Sequence, residues 1–289
     1  MKNRISYICV ILAALLWGCM GILVRTMNQG GLSSAEVVTF RSFVTACIML
    51  AGMLVFNRKG LKVRFKDIWC FIGTGICSVV FFNICYFTCM RYCNLSTAAI
   101  LLYTAPAFVM LLSFFLFKEK LTKRKLVALT CSFVGCCLVS GGFGGNSIGM
   151  IGLFSGLGAG FGYALYSIFS RYAMQKGYSS FTITTYTFIF ACVGCMPITG
   201  ASRIIECIEV DQGLLWMGIW WTFLTTVAAY LLYTKGLGGM EAGKASVLAT
   251  VEPVMATFVG VFVFGENFTI AGAFGVVFVL VSSILIVKE

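Results

Sequence analysis

The sequence has no histidine, and that absence removes several chemistries together. Ser–His and Cys–His nucleophile pairs need imidazole as a base, and many metal sites need it as a ligand. Charge is scarce as well: 11% of 289 residues, with 10 acids against 21 bases. Paired cysteine frameworks are missing too. Fourteen cysteines are scattered through apolar stretches, and the one CxxC, Cys192 and Cys195, lies inside such a stretch without a second pair. Zinc is excluded on that pattern, and the cysteines read as small apolar packing residues. A nucleotide-binding loop is absent. Gly152, Gly156 and Gly160 recur every four residues with Gly158 and Gly162 between, but no strand precedes them and no Walker lysine follows. They suit close helix contact or a bend that must move. No metal and no cofactor is expected.

What the chain has is apolar surface. It is 60% hydrophobic with a mean hydropathy of +0.98, too much for a soluble domain of this length to bury. Runs of about 20 apolar residues recur, each able to cross roughly 30 Å of hydrocarbon as a helix. The class is an all-α polytopic membrane protein. Ten spans are predicted: 5–25, 36–56, 68–90, 96–117, 124–141, 149–171, 179–200, 213–235, 244–264 and 270–287. Lys2 and Arg4 ahead of Ile5–Val24 imitate a signal peptide, but the apolar core is too long and similar spans follow, so it reads as the first helix.

The bases are not spread evenly. With the N-terminus in the cytoplasm, 17 of 21 lysines and arginines fall in gaps on that side, among them Arg58–Lys66, Lys118–Lys125, Arg171, Lys176, Lys235, Lys244 and Lys288. Arg25, Arg91 and Arg203 fall outside, and Arg41 lies within a span. That bias predicts both termini in the cytoplasm and an even number of spans. It also accounts for the net charge of +11 without nucleic acid.

The chain repeats itself. Ala245–Thr269 moved back by 147 residues falls on Ala98–Thr122, so that Pro253 meets Pro106, Glu266 meets Glu119, Thr269 meets Thr122 and, upstream, Tyr233 meets Tyr86. The Gly141–Asn146 gap divides two halves, 1–145 and 146–289, of five spans each. Five is odd, so the second half enters the membrane inverted. The gap after Pro106, KEKLTKRK, is basic, whereas its counterpart after Pro253, GENFTIAG, carries no base. Inverted repeats of this kind give many secondary transporters a midplane pocket and alternating access.

Two five-helix halves, each with a mid-span proline and a Gly/Lys-Glu-x-φ-Thr close, resemble the EamA-like branch of the drug/metabolite transporter superfamily. Trp17-Gly18 and Glu252-Pro253 are similar to that family as well. The likeness spans essentially the whole chain, with one departure: Lys118 stands where the family more often has the glycine seen at Gly265. It implies a secondary-active or facilitative transporter of small organic metabolites or drugs, working as an exporter, in a bacterial plasma membrane.

Glu252 is the carboxylate placed deepest, eight residues past Lys244 and so about 12 Å along its helix. It reads either as a proton- or cation-binding group or as an acid that covers backbone groups freed by Pro253, on a face with Ala245, Ala249, Ala256 and Gly260. A second face carries Ser246, Thr250, Pro253 and Thr257, either lining a cavity or bonding its own backbone. Its counterpart in the first half includes Tyr103. Trp17 and Tyr163 are counterparts at an offset of 146, and Asn83 and Tyr86 match Tyr230 and Tyr233. Together they make a candidate box for an apolar or amphipathic solute, with core packing as the alternative. Arg41 reads as a snorkelling residue at the outer interface or as a substrate contact.

The candidate solute-binding set is thus Trp17, Asn83, Tyr86, Tyr103, Tyr163, Tyr230, Tyr233, Ser246, Thr250 and Glu252, with a small molecule and the lipid bilayer as partners. An intramembrane enzyme would want paired acids, histidine or a metal set at one depth. A helical scaffold would want an attached soluble domain or long tail. The oligomeric state stays open, a homo-oligomer included.

Overall fold

A chain this apolar must satisfy its own backbone groups, because hydrocarbon offers no water to bond them. The computed structural model of the protein describes residues 2–141, 149–267 and 269–289, and every regular element in them is helical. Nine helical stretches among the described residues are long and apolar enough to cross a membrane. They are α1 (Arg4–Gln29), α2 (Ser34–Phe56), α3 (Phe65–Tyr92), α4 (Leu95–Phe117), α6 (Met150–Gln175), α7 (Ser180–Thr199), α8 (Gln212–Leu237), α9 (Ala242–Phe264) and α10 (Ile270–Val287). Between α4 and α6 lies α5 (Lys123–Val139). Its 17 residues rise about 25 Å, short of a typical bilayer core. The expected span 124–141 is thus two residues shorter at its end, and most of the Gly141–Asn146 gap lies outside the described residues. An unforeseen surface helix, Ser202–Val210, joins α7 to α8.

The repeated motif is a helix stop followed by a helix start. Lys118 (φ 56°) and Gly265 (φ 67°) both take left-handed backbone and end α4 and α9. Thr122 and Thr269 then cap the next helices, their hydroxyls accepting from Lys125 N at 3.3 Å and Gly272 N at 3.0 Å. Glycine meets the first need without strain, and Lys118 meets it at a cost.

Three predicted continuous spans are broken. α1 is interrupted at Cys19, α4 at Tyr103-Thr104 and α9 at Thr250-Val251. The last two breaks are 147 residues apart, and each puts its proline in the first turn of the second half-helix, where a missing N–H is harmless. The prolines therefore do not kink a helix; they begin one. α3 and α8 each contain a wide π-helical stretch instead, Gly73–Val80 and Phe223–Ala228.

Packing runs across the sequence midpoint. α1 lies along α8, α3 along α6, α2 along α7 and α5 along α10, while the second half of α4 meets the first half of α9. Glycines set several of these contacts. A Cβ on Gly152, Gly156, Gly158, Gly160 or Gly162 would run into α3, α4 or the short turn between them, at Cys93, Leu101, Cys85, Thr104 and Phe81. α6 stays continuous over 26 residues, so this stripe serves close contact and not a bend. Gly135 and Gly275 bring α5 and α10 together, each within 2.8 Å of the other's carbonyl oxygen if it carried a Cβ.

The bases gather at one end. Lys176 Nζ and Arg64 Nε bond Asp67 at 2.6 and 2.9 Å, Arg124 Nη1 donates to Lys288 O, and Lys125 pairs with Glu241. Hydrogen bonding to Asp67 raises the Lys176 ammonium above its ordinary pKa. Arg25 pairs with Glu266 and Arg203 reaches Gly31 O at the other end. All fourteen cysteines are free.

Candidate functional site

Where α1, α3, α6 and α8 meet, four of the aromatic residues singled out above close on one slot. Trp17 is buried between Tyr230 and Tyr233, with ring centroids 5.2 and 5.1 Å away, and reaches Tyr163 at 6.2 Å. Tyr166 stands edge-on to Tyr230 at 5.0 Å. These rings, with Ser78, Val79, Phe82 and Ser167, border a narrow slot. Its polar edge is held in pairs: Tyr233 Oη lies 2.7 Å from Ser167 Oγ, and Tyr166 Oη lies 2.6 Å from Thr234 Oγ1. The ring faces are left for an apolar body, with hydroxyls fixed at its margin.

A second narrow space adjoins the two helix breaks. Leu102, Tyr103, Ala105 and Pro106 line it from α4, and Ser246, Ala249, Thr250 and Glu252 line it from α9. Tyr163 borders both spaces, so one ring divides the slots. Glu252 is the first residue of the half-helix Glu252–Phe264, where the aligned peptide dipoles favour an anion. Among the described residues its hydrogen bond comes from Tyr163 Oη at 3.4 Å and not from the main chain around Pro253. The opposing helix makes this approach with a glycine. A Cβ on Gly18 would meet Met255 Cβ at 2.5 Å and Glu252 O at 2.7 Å, which is why Trp17 is followed by glycine.

The hydroxyls of the polar face all bond their own backbone. Ser246 donates to Gly243 O, Thr250 to Val247 O and Thr257 to Pro253 O, at 2.6 to 2.9 Å. Thr250 also accepts from Ser132 Oγ at 2.9 Å. Ser246 and Thr250 thus border the second space while their hydroxyls bond their own backbone. The expected tight face is divided: Ala245, Ala249 and Gly260 are buried, while Ala256 is exposed.

Asn83 and Tyr86 lie apart from both spaces. Asn83 is buried and donates to Val79 O at 2.7 Å, and Tyr86 stacks on Phe82 at 5.7 Å. Their repeat counterparts Tyr230 and Tyr233 do line the aromatic slot. Tyr166, Ser167 and Phe82 complete that slot without having been singled out. Tyr166 and Ser167 are one helical turn beyond Tyr163 on the same face, and that spacing was the available signal.

Arg41 does not snorkel. It is 7% exposed, on the inward side of α2.

Each half of the chain also places a glutamate near an arginine at its end. Glu119 is buried and accepts from Ala242 N (2.9 Å) and Gly243 N (3.2 Å), the open N-terminus of α9, with Arg171 3.9 Å away. Arg171 in turn donates to Leu237 O and Met240 O. Glu266 is exposed and paired with Arg25, whose guanidinium lies over Phe264.

Comparison with known proteins gives this architecture a family. A model of the EamA-like transporter family matches the chain twice, over residues 4–141 and 150–288. A Clostridium kluyveri protein described as an uncharacterized transporter is 26% identical, covering 97% of this chain and 92% of its own length. The uncharacterized transporter YwfM of Bacillus subtilis is 23% identical, covering 99% and 95%. One solved crystal structure superposes with a TM-score of 0.77 over 97% of this chain and 95% of its own, at 16% identity, a likeness of fold alone. With both halves matched over nearly their whole length, the chain is an integral membrane protein that belongs to the EamA-like transporter family.

Proposed function

We propose that the protein moves a small organic metabolite or drug outward across a bacterial plasma membrane by alternating access between two inverted halves, 1–145 and 146–289. In this reading α5 is a tenth crossing, both termini are cytoplasmic, and the basic end faces the cytoplasm. The protein is a carrier and not an enzyme, in keeping with relatives described as transporters. The packing supports the halves: exchanging each helix for the one five places on maps α1–α8 onto α6–α3 and returns α2–α7 and α5–α10 to themselves.

One observation carries the proposal. Glu119 and Glu266 are repeat counterparts at an offset of 147, and Arg171 and Arg25 at 146, the offset of Tyr163 and Trp17. The first pair is buried and locks onto the start of α9, while the second is exposed. The matching lock at the far end would need Glu266 at the N-terminus of α4, residues 95–96. There Asn94 caps the helix instead, its side chain accepting from Thr97 N at 2.7 Å. A carrier shut at the cytoplasmic end and open at the other has this asymmetry, and its second state exchanges the two.

The solute lies in the aromatic slot and against Glu252, whose carboxyl takes and releases the coupling proton. The test is reconstitution in proteoliposomes, with efflux and counterflow of radiolabelled amino acids and drugs under an imposed pH gradient. Glu252→Gln should abolish pH-driven movement and leave solute exchange, which moves no net proton, near wild type. Normal pH-driven transport in that variant ends the coupling role, and a wild type that moves no solute ends the proposal.

A further inference from the structure

Arg41 is the one charged side chain in the interior of α2 past its first turn, eight residues beyond the Ser33 cap and so about 12 Å along the helix. A cation at such a depth is held by a counter-charge or faces a polar space. Among the described residues Arg41 is in no ion pair. Its Nε has no hydrogen-bond partner at all. Nη1 points at the Met20 sulfur, 3.3 Å away, and a thioether is a weak acceptor. Of the two acids that could serve, Glu36 closes the capping box with Ser33 at 2.7 Å, and Glu252, which accepts from the Tyr163 hydroxyl, acts on Arg41 through space without a direct ion pair.

The surroundings are built in the same manner. Thr45, one turn along α2 from Arg41, is buried with its hydroxyl unpartnered. On the adjoining α8, Thr222 and Thr226 are also buried with unpartnered hydroxyls. Thr225 between them lies 3.5 Å from the same Met20 sulfur. Met20 packs at once against the cluster that contains Trp17 and Tyr233, with Tyr230 beside it, and against the α2 cluster that contains Phe40 and Val44. A single flexible, unbranched side chain thus separates an unpaired guanidinium from the aromatic slot.

Resting on the transport reading, we infer that Arg41 binds the anionic group of the carried solute, which is an amphipathic organic carboxylate. Its carboxylate takes the guanidinium fork, with threonine hydroxyls of α2 and α8 beside it, once the Met20 thioether moves aside, and its apolar body enters the slot that Trp17 and Tyr230 border. A guanidinium offers two parallel N–H donors that fit a carboxylate and nothing comparable to a neutral or cationic group. Leaving that fork buried and unmatched is costly, so the solute that matches it is selected over its uncharged analogue.

The experiment measures thermal unfolding of the full chain in detergent against three probes: benzoate, benzamide and inorganic sulfate. Benzoate should stabilise the wild type with a half-saturating concentration about tenfold or more below that of benzamide, as expected for a charge-assisted pair. Sulfate should act weakly, since it lacks the ring. Arg41→Gln should erase the preference of benzoate over benzamide. Met20→Ala, which uncovers the guanidinium and keeps it, should strengthen benzoate binding several-fold, and it decides the matter if Arg41→Gln does not fold. Equal affinity for benzoate and benzamide, a preference that survives Arg41→Gln, or an unchanged Met20→Ala overturns the inference. Sulfate binding as well as benzoate overturns it in favour of an inorganic-anion site. Counterflow separates it from the transport reading. An Arg41→Gln protein that carries a neutral or cationic solute like wild type sinks the carboxylate alone. A wild type that binds benzoate through Arg41 and carries nothing sinks transport alone.

Discussion

The loop after α4 and the loop after α9 have nearly the same sequence logic and opposite environments. Glu119 is 8% exposed and satisfies two backbone N–H groups of α9; Glu266 shares a half-exposed pair with Arg25. Lys118 and Gly265 take the same left-handed turn with different side chains. A residue's matched place in a repeat therefore does not determine its energetic role. What differs is what stands opposite: the start of α9 for Glu119, and an exposed arginine for Glu266. A buried carboxylate that satisfies helix-start donors is costly to remove, whereas an exposed ion pair is worth little.

The widest separation should come from the glutamates. Glu119→Ala should destabilise the purified protein by about 2–4 kcal/mol, because it strands two N–H groups and weakens the hold on Arg171. Glu266→Ala should cost less than about 1 kcal/mol. Thermal unfolding in one detergent compares them, and similar losses would remove the asymmetry on which the closed-end assignment stands. Next come two glycines of α1. Gly18→Ala should cost about 1–3 kcal/mol by forcing a Cβ into Met255 and the Glu252 carbonyl. Gly21→Ala meets nothing within 4 Å and should be neutral or stabilising by up to about 1 kcal/mol. If Gly18→Ala unfolds like wild type, the tight approach of α1 to the start of Glu252–Phe264 is wrong. The smallest contrast tests the turns. Lys118→Gly should stabilise by about 1 kcal/mol, and Gly265→Ala should destabilise by about the same amount, each read as a shift in unfolding midpoint. Shifts of one sign in both would mean that the two turns are not equivalent.

Much of this fold was legible because the repeat kept polar punctuation in register. Pro106 and Pro253, Glu119 and Glu266, and Thr122 and Thr269 all sit where their shared offset placed them, at helix starts and loop contacts. The helix breaks were legible only through Pro106 and Pro253, which were read as lying within continuous spans, because no loop-like run interrupts the sequence at Tyr103-Thr104 or Thr250-Val251. Which face of a span turns inward was equally hidden, since lipid and protein interior both favour apolar side chains and the usual contrast between faces is lost. That is why Arg41 reads equally well as snorkelling until its neighbours are known, and why Asn83 could be taken for a slot residue when its amide bonds the turn above it. Tyr163 and Trp17 were found because a ring at mid-span is conspicuous. Tyr166, one turn further on, was passed over for want of a repeat partner.

The wide turns in α3 and α8 have a mechanical consequence. Gly73–Val80 comes just before Asn83 and Tyr86, and Phe223–Ala228 just before Tyr230 and Tyr233. A π turn holds more residues than the α turns beside it, so each stretch stores slack in an otherwise stiff rod. Absorbing one residue of that slack into α geometry would twist the downstream helix by about 100° relative to the upstream part. The hydrogen bonds would be exchanged and not lost. In α8 such a twist would re-aim Tyr230 and Tyr233, the two rings that hold Trp17, and in α3 it would turn Tyr86 against Phe82.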